Sequence, residues 1–435
     1  MLRRVILLSL LAFVVGGGVA SAQTFSARRM AMGGVILASG GAGSSGANVA
    51  YRAVPKAPSS RWALPLPIGL VQLLADPPEF DTDSPDFNIY ELANLLYNPP
   101  WNAQLSSPAV PSNDITIEIG KDHLAVDLGD VKKIFPEDQS QTGAVVNGPA
   151  LGFDIKRFFL SAAPLVYYDN DLSFNDNLRR AINGDEFLQN TRYEMRDQGV
   201  GLAAVGAHLG WAAPLMETGD PRDKGMGFYA GARLKLMRGL AYASADNSVN
   251  FTTGATLFGS ELDANYERHT LTTGPDGGGL GRGLDLGAVW MAGGAEVGLG
   301  INDIGTTFNW SVEETWADDD PDTEDIVKKD VDVTSRVPTT VVANAAKRLG
   351  RFLVAGDIVR GIHVTTVHLG AETWLNKTLA VRAGAGRDAN ALLQYSMGSG
   401  LRFGNLGVDL AIASNSRNLS RERGLELGAG LAFYH

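Results

Sequence analysis

Between Val364 and Tyr434 apolar residues recur at every second position, in one segment after another. Val367, Leu369 and Ala371 alternate with His368, Gly370 and Glu372. Leu379, Val381, Ala383 and Ala385 alternate with Ala380, Arg382, Gly384 and Gly386. Leu406, Val408, Leu410 and Ile412 alternate with Gly407, Asp409, Ala411 and Ala413, and Leu425 to Phe433 repeats the pattern around Glu426, Gly428 and Gly430. A period of two puts neighbours on opposite faces of a strand, whereas a helix repeats near 3.6. Each segment therefore has one apolar face and one polar or small face. Upstream, Met226, Phe228, Ala230, Ala232, Leu234 and Leu236 oppose Tyr229, Arg233 and Lys235, and Ala203, Val205, Ala207, Leu209 and Trp211 make another stripe. Further strands are predicted over 144–155, 157–168, 284–292, 294–302, 339–347 and 351–360, roughly 12–16 in all.

Such a chain has two ways to bury an apolar face. In a soluble sandwich that face points to a core; in a transmembrane barrel it points to lipid and the polar face lines the lumen. Segments of about 9–11 residues, tilted, cross a bilayer. Short turns such as Leu375-Asn376-Lys377 and Gly404-Asn405 alternate with long polar insertions, as periplasmic turns alternate with extracellular loops. Glycine and alanine crowd the polar face; glycine is 52 of 435 residues, well above the usual ~7%. Phe433-Tyr434 gives the last segment an aromatic end, and Trp211, Trp290, Trp310, Trp374 and Tyr395 stand near segment ends, where interfacial girdles form. The expected class is all-β, a transmembrane antiparallel β-barrel.

Residues 1–22 read as a signal peptide: Arg3 and Arg4, an apolar run from Val5 to Val15, then Ala20-Ser21-Ala22 before cleavage. With the barrel pattern this predicts the bacterial outer membrane. From Gln23 to Ala75 there is no Asp or Glu, while Arg28, Arg29, Arg52, Lys56 and Arg61 are present. We expect residues 23–60 to form a plug inside the lumen, its cations meeting inward acids such as Glu372, Asp409 and Glu426. Residues 61–435 then form the barrel, with long extracellular loops at 76–112, 169–197 and 313–336. Helices are predicted near 84–96 and from Leu178 to Gln189, and the ten acids of 313–336 read as a solvated loop.

Several chemistries are set aside. There is no cysteine, and the net charge of −11 is unsuited to nucleic acid. Gly41 to Gly46 fits G-x-G-x-x-G, but no acid follows before Asp76 to bind a ribose. The six histidines form no H-E-x-x-H, His363 and His368 are expected on opposite faces of one strand, and there is no G-x-S-x-G. No enzyme, cofactor or metal site is expected.

Ala27-Arg28-Arg29-Met30-Ala31-Met32-Gly33-Gly34 resembles the start of the long-chain fatty-acid transport porin superfamily, which includes toluene-type hydrocarbon transporters and accessory barrels. Leu284-Asp285-Leu286-Gly287 with Gly300-Ile301-Asn302-Asp303-Ile304-Gly305, and Leu369-Gly370-Ala371-Glu372, Leu379 to Gly384 and Gly400 to Phe403, are similar to its later strands. Asn48-Val49-Ala50 stands near the place of the family's Asn-Pro-Ala turn, and the chain ends in His435. The resemblance implies about fourteen strands plugged by the N-terminus. It also implies uptake of hydrophobic molecules, moving when the plug shifts and leaving through a kinked strand.

On that reading Met30, Met32, Val35, Ile36 and Leu37 are the candidate ligand pocket, since methionine adapts to varied apolar ligands. Arg233, Lys235, Glu372, Arg382, Arg402, Asp409 and Glu426 are the lumen charges, mixed in sign and expected to pair internally. Expected partners are outer-membrane lipid, a hydrophobic small molecule and the barrel-assembly machinery. The alternative function is an accessory barrel supporting secretion, conjugation or surface attachment.

Overall fold

A computed structural model describes residues 26–36, 46–55, 61–66, 100–101, 116–119, 124–127, 140–147, 151–255, 263–274, 278–318, 326–387, 393–415 and 424–434. The predicted signal peptide, the helix predicted near 84–96, the Gly41 to Ser45 part of the glycine run and Leu37 lie outside these residues. A short helix α1 (Ala27–Ala31) and a 3-10 turn (Val49–Arg52) precede the sheet.

The strands in chain order are β1 (Arg61–Pro65), β2 (Pro100–Trp101), β3 (Thr116–Ile119), β4 (Leu124–Asp127), β5 (Ser140–Asn147), β6 (Leu151–Ile155) and β7 (Phe158–Phe174). Helix α2 (Asp176–Ile182) and β8 (Asn183–Glu186) come next. They are followed by β9 (Arg192–Thr218), β10 (Met226–Thr252), β11 (Asp263–Thr272), β12 (Gly279–Ala292), β13 (Ala295–Asp318), β14 (Ile326–Arg336), β15 (Thr340–Leu349) and β16 (Phe352–Arg360). The last five are β17 (Thr365–Trp374), β18 (Leu379–Arg387), β19 (Leu393–Phe403), β20 (Leu406–Asn415) and β21 (Gly424–Tyr434).

Eighteen of these make one antiparallel sheet, while β3, β4 and β8 form a small separate one. Four pairs in the large sheet are collinear. β5 and β6 both lie along β7, and β11 and β12 along β10. β14 and β15 lie along β13, and β1 and β2 along β21. Counted as staves, the eighteen segments are fourteen. The fold is an all-β antiparallel barrel.

Alternation decides which way each side chain points. On β10, Leu234, Leu236 and Leu240 are exposed while Arg233, Lys235 and Met237 are buried. The exposed face carries an apolar band that includes Leu209, Leu286, Val354, Leu369, Met397 and Leu410, the surface a barrel turns to lipid. One end of the barrel has short connections at 156–157, 219–225, 293–294, 350–351, 375–378 and 404–405. Gly293 (φ 54°) and Gly294 (φ 72°) supply the two positive φ angles of a tight two-residue hairpin. Asn376 accepts from the N–H groups of Thr378 and Leu379, both at 2.8 Å, which closes another.

Five expectations are corrected. The predicted strand 144–155 is described as two segments, β5 and β6, whose registers along β7 differ by one residue: Asn147 pairs with Leu165 and Leu151 with Ala162. The helix predicted from Leu178 to Gln189 is α2, ending at Ile182; Gly184 follows, and Asn183 and Glu186 pair with β4 instead. Residues 169–197 are mostly strand and helix, since β7 runs to Phe174 and β9 starts at Arg192. Residues 313–318 are the end of β13 and 326–336 are the whole of β14, with only 319–325 outside the description. Acids are tolerated there because a stave of 24 residues outruns the 9–11 that cross a bilayer, and the excess lies in water. His363 sits in the connection 361–364, not on a strand face.

Candidate functional site

The inward face of the sheet is notched by glycine, and the N-terminal residues lie in the notches. A Cβ on Gly384 would stand 2.2 Å from Gly33 N and Met32 C, and one on Gly370 would stand 2.4 Å from Met32 O. A second dock is formed by Gly231, Gly287 and Gly300, against the backbone of residues 47–50. Asn48, fully buried, caps the 3-10 turn by accepting from Ala50 N at 3.0 Å and donates to Ala288 O at 3.1 Å. The Asn48 amide thus ties the segment to β12 at the place where the sequence has Asn-Val-Ala. In a chain without native cysteine, Asn48→Ala combined with an Ala53→Cys reporter is expected to raise maleimide labelling about tenfold. That corresponds to about 1–2 kcal/mol for a lost cap and an unpaired buried group; unchanged labelling would show that Asn48 does not hold the segment.

Two buried charge quartets flank these docks. In the first, Arg28 reaches Glu372 through two bonds of 2.8 and 3.0 Å. Arg382 donates to Glu372 at 2.7 Å and to Asp409 at 2.8 Å. In the second, Arg233 pairs with Asp285 (Nε 2.6 Å), and Lys235 Nζ lies 3.0 Å from Asp285 and 2.8 Å from Asp303. Arg233 also donates to Gly46 O at 3.2 Å. Each quartet has two cations and two carboxylates, so buried charge is balanced locally, as burial requires.

The second quartet depends on a bulge. Pairing runs Leu284 with Ile304 and Leu286 with Ile301, leaving one extra residue on β13. Asp303 takes φ 61°, a left-handed value that aspartate tolerates, and turns inward beside Asn302. Its N–H donates to Asp285 at 2.8 Å. Further ties come from Tyr51, which donates to Glu296 at 3.0 Å, and Ile36 N–H, which donates to Asp357. His368 holds that carboxylate from its other side at 2.6 Å. Arg52 bonds Asp154 on β6 and lies 4.0 Å from the Phe159 ring centroid. Residues 26–36 and 46–55 therefore touch the wall from β6 round to β20.

Of the expected lumen charges, Arg233, Lys235, Glu372, Arg382 and Asp409 are brought together in the quartets. Arg402 and Glu426 are not: Arg402 is half-buried near a short turn and bonds Gly404 O, and Glu426 is half-buried toward the other end of β21. The candidate pocket residues are spread over three packing clusters. Met30 packs with Ala27, Ala31 and Ala411; Met32 and Val35 with Ala346, Leu353 and Ala355; Ile36 with Tyr51, Tyr229 and Val289. These contacts of Met30, Met32, Val35 and Ile36 fasten the segment to the wall.

A different apolar surface was not anticipated. Leu165, Tyr167, Leu202, Met237, Tyr242, Phe308 and Trp310 all point inward and form one buried cluster toward the long-connection end. Trp310 stacks at 5.3 Å on both Tyr242 and Phe308, and its Nε1 donates to Ser335 at 2.8 Å. Ile362, from the turn between β16 and β17, packs on this cluster, and His363 of the same turn pairs with Asp169 on β7. The signal was present in the sequence: these residues keep the inward parity, but on stretches longer than a membrane strand needs.

No curated protein matches the chain. Among solved structures it is similar to the toluene transporter TodX of Pseudomonas putida, at 12% identity over 76% of this chain and 98% of that one, TM-score 0.27. A deltaS2 mutant described as the TodX monoaromatic hydrocarbon channel matches at 13% identity over 71% and 95%, TM-score 0.33. A mutant Rh. blastica porin matches at 12% over 68% and 99%, TM-score 0.21. Strand register and burial, not these overlaps, carry the fold. One family model, a family of unknown function (DUF5723), matches residues 101–320, and the chain belongs to that family.

Proposed function

We propose that the protein is a bacterial outer-membrane transporter of hydrophobic small molecules of long-chain fatty-acid type, with residues 23–60 acting as a plug. The observation that carries this reading is the division of the inward face. One half holds the charge-balanced quartets and residues 26–36 and 46–55, with apolar packing around Met32, Val35 and Ile36. The other half is apolar, from Leu165 and Leu202 to Phe308 and Trp310. The cluster is closed, its residues 0–6% exposed, so a greasy solute arriving from the long-connection end exchanges water for contact with it only when those side chains part. Each quartet is neutral, so neither by itself favours an ion of one sign. Displacing the segment then opens the way, and the paired charges remain on the wall and in the segment as a latch.

A second reading, an accessory barrel for secretion, conjugation or attachment, is favoured by the turn 361–364 packed against β7 and by the 27-residue β9 and β10. Proteoliposomes holding the full chain separate the two. Oleate uptake at least fivefold above protein-free liposomes, with sugars excluded, is expected. Oleate uptake no faster than in protein-free liposomes would end the transport reading and leave the accessory one.

A further inference from the structure

The outward face carries cations where its apolar band stops. Arg238 on β10 pairs in register with Leu280 on β12, and Leu236 pairs with Arg282. Arg238 and Arg282 are thus diagonal neighbours, about 7–8 Å apart at Cα. Arg282 pairs with Thr307 on β13, and Thr307 pairs with Arg336 on β14. Arg282 and Arg336 therefore share one rung, about 9–10 Å apart across two strand spacings. All three arginines are exposed and have the outward parity.

Their surroundings and height are those of a membrane interface. Leu236, Leu240 and Leu280 beside them are 57%, 58% and 67% exposed. Arg282 stands ten residues above Ala292 at the foot of β12. At about 3.3 Å per residue and a tilt near 40° this is about 25 Å, the height of a barrel's apolar band. The Arg238 guanidinium lies over Gly278, beyond its own rung and toward the long-connection end. That is how a long side chain keeps its stem in the apolar layer and its head at the polar surface. Outward neighbours at this level are Thr307 and Asn309; the first outward acid on β14 is Asp332, four residues from Arg336.

We propose that Arg238, Arg282 and Arg336 clamp the phosphate groups of lipid headgroups in the leaflet at the long-connection end. Guanidinium groups match phosphate oxygens with paired donors, and three of them in a row, neighbours about 7–10 Å apart and the outer two about 15 Å apart, suit a headgroup with more than one phosphate. The test is native mass spectrometry of the full chain in detergent with diphosphoryl lipid A, and with the same lipid stripped of phosphate. The wild type is expected to retain the phosphorylated form at least tenfold more strongly, and R238Q/R282Q/R336Q to lose that preference. K347Q/R351Q, at the short-connection end, is expected to keep it. Equal retention of both lipids by the wild type, or an undiminished preference in the triple variant, would overturn the proposal. So would an equal loss in K347Q/R351Q. Cold SDS gels, on which a folded barrel migrates apart from the unfolded chain, report that each variant is folded.

Discussion

Replacing Arg382 by methionine is expected to destabilise the folded barrel by about 3–5 kcal/mol, the cost of removing one partner from a buried ion pair. Arg382 is 1% exposed and bridges Glu372 and Asp409, which are 3% and 2% exposed. Methionine fills the space but leaves two carboxylates without their common cation. Arg382→Lys is expected to recover only part of the loss, because one ammonium does not reproduce a guanidinium fork directed at two acceptors. Arg382→Met with Asp409→Asn is expected to recover more, since Glu372 keeps Arg28 and the quartet is again balanced. The readout is the temperature at which half the chain leaves the folded band on a cold SDS gel. A drop in Arg382→Met no larger than in an outward control such as Ala383→Ser would mean that the quartet does not hold the wall together.

Gly384→Val is expected to do the reverse: leave the wall intact and expel the segment. Valine favours a strand, so β18 itself does not suffer. Its Cβ, however, would stand 2.2 Å from Gly33 N and Met32 C, which are backbone atoms with no rotamer to yield. Close packing leaves no room for both, and the less firmly held partner moves. Residues 26–36 are attached by side-chain bonds such as Arg28 to Glu372, whereas β18 is bonded to strands on both sides. At least a tenfold rise in planar-bilayer conductance is expected, with new protease cleavage before Arg61. Gly370→Val is expected to behave alike, its Cβ 2.4 Å from Met32 O. Wild-type conductance in Gly384→Val would show that the segment is not what seals the lumen.

The two variants separate roles that one polar face combines. Arg382 is a wall residue that also serves the segment through Glu372; Gly384 is a wall position whose emptiness serves the segment alone. Their side chains are neighbours in parity, two residues apart on β18. The pattern of effects therefore tests whether docking and wall stability are distinct, a division that Proposed function requires of a plug able to move.

Period-two alternation was enough to read the strand class, the outward and inward faces of β9, β10 and β17 to β21, and the short turns at 375–377 and 404–405. It worked because an apolar outer face constrains every second residue, and a slip of one would reverse the whole stave. The acid-free stretch 23–75 likewise pointed to contact with inward acids, and Arg28 does meet Glu372. Strand lengths were misjudged at β9, β10, β13 and β14, because the pattern for crossing a membrane stops at the lipid while the ladder of hydrogen bonds goes on in water.

What alternation leaves open is partnership across the chain. Asp285 and Asp303 are 18 residues apart and meet only because a one-residue bulge turns Asp303 inward. Asp357, His368, Glu296 and Asn344 look like ordinary inward polar residues until Ile36 and Tyr51 are laid against them. The apolar inner cluster needs five staves brought side by side. The sequence by itself determined which residues face lipid and which face inward, since that is set by the pleat of a single strand. Only the tertiary structure decided which inward residues pair, dock or pack together, because that depends on register and curvature summed around fourteen staves.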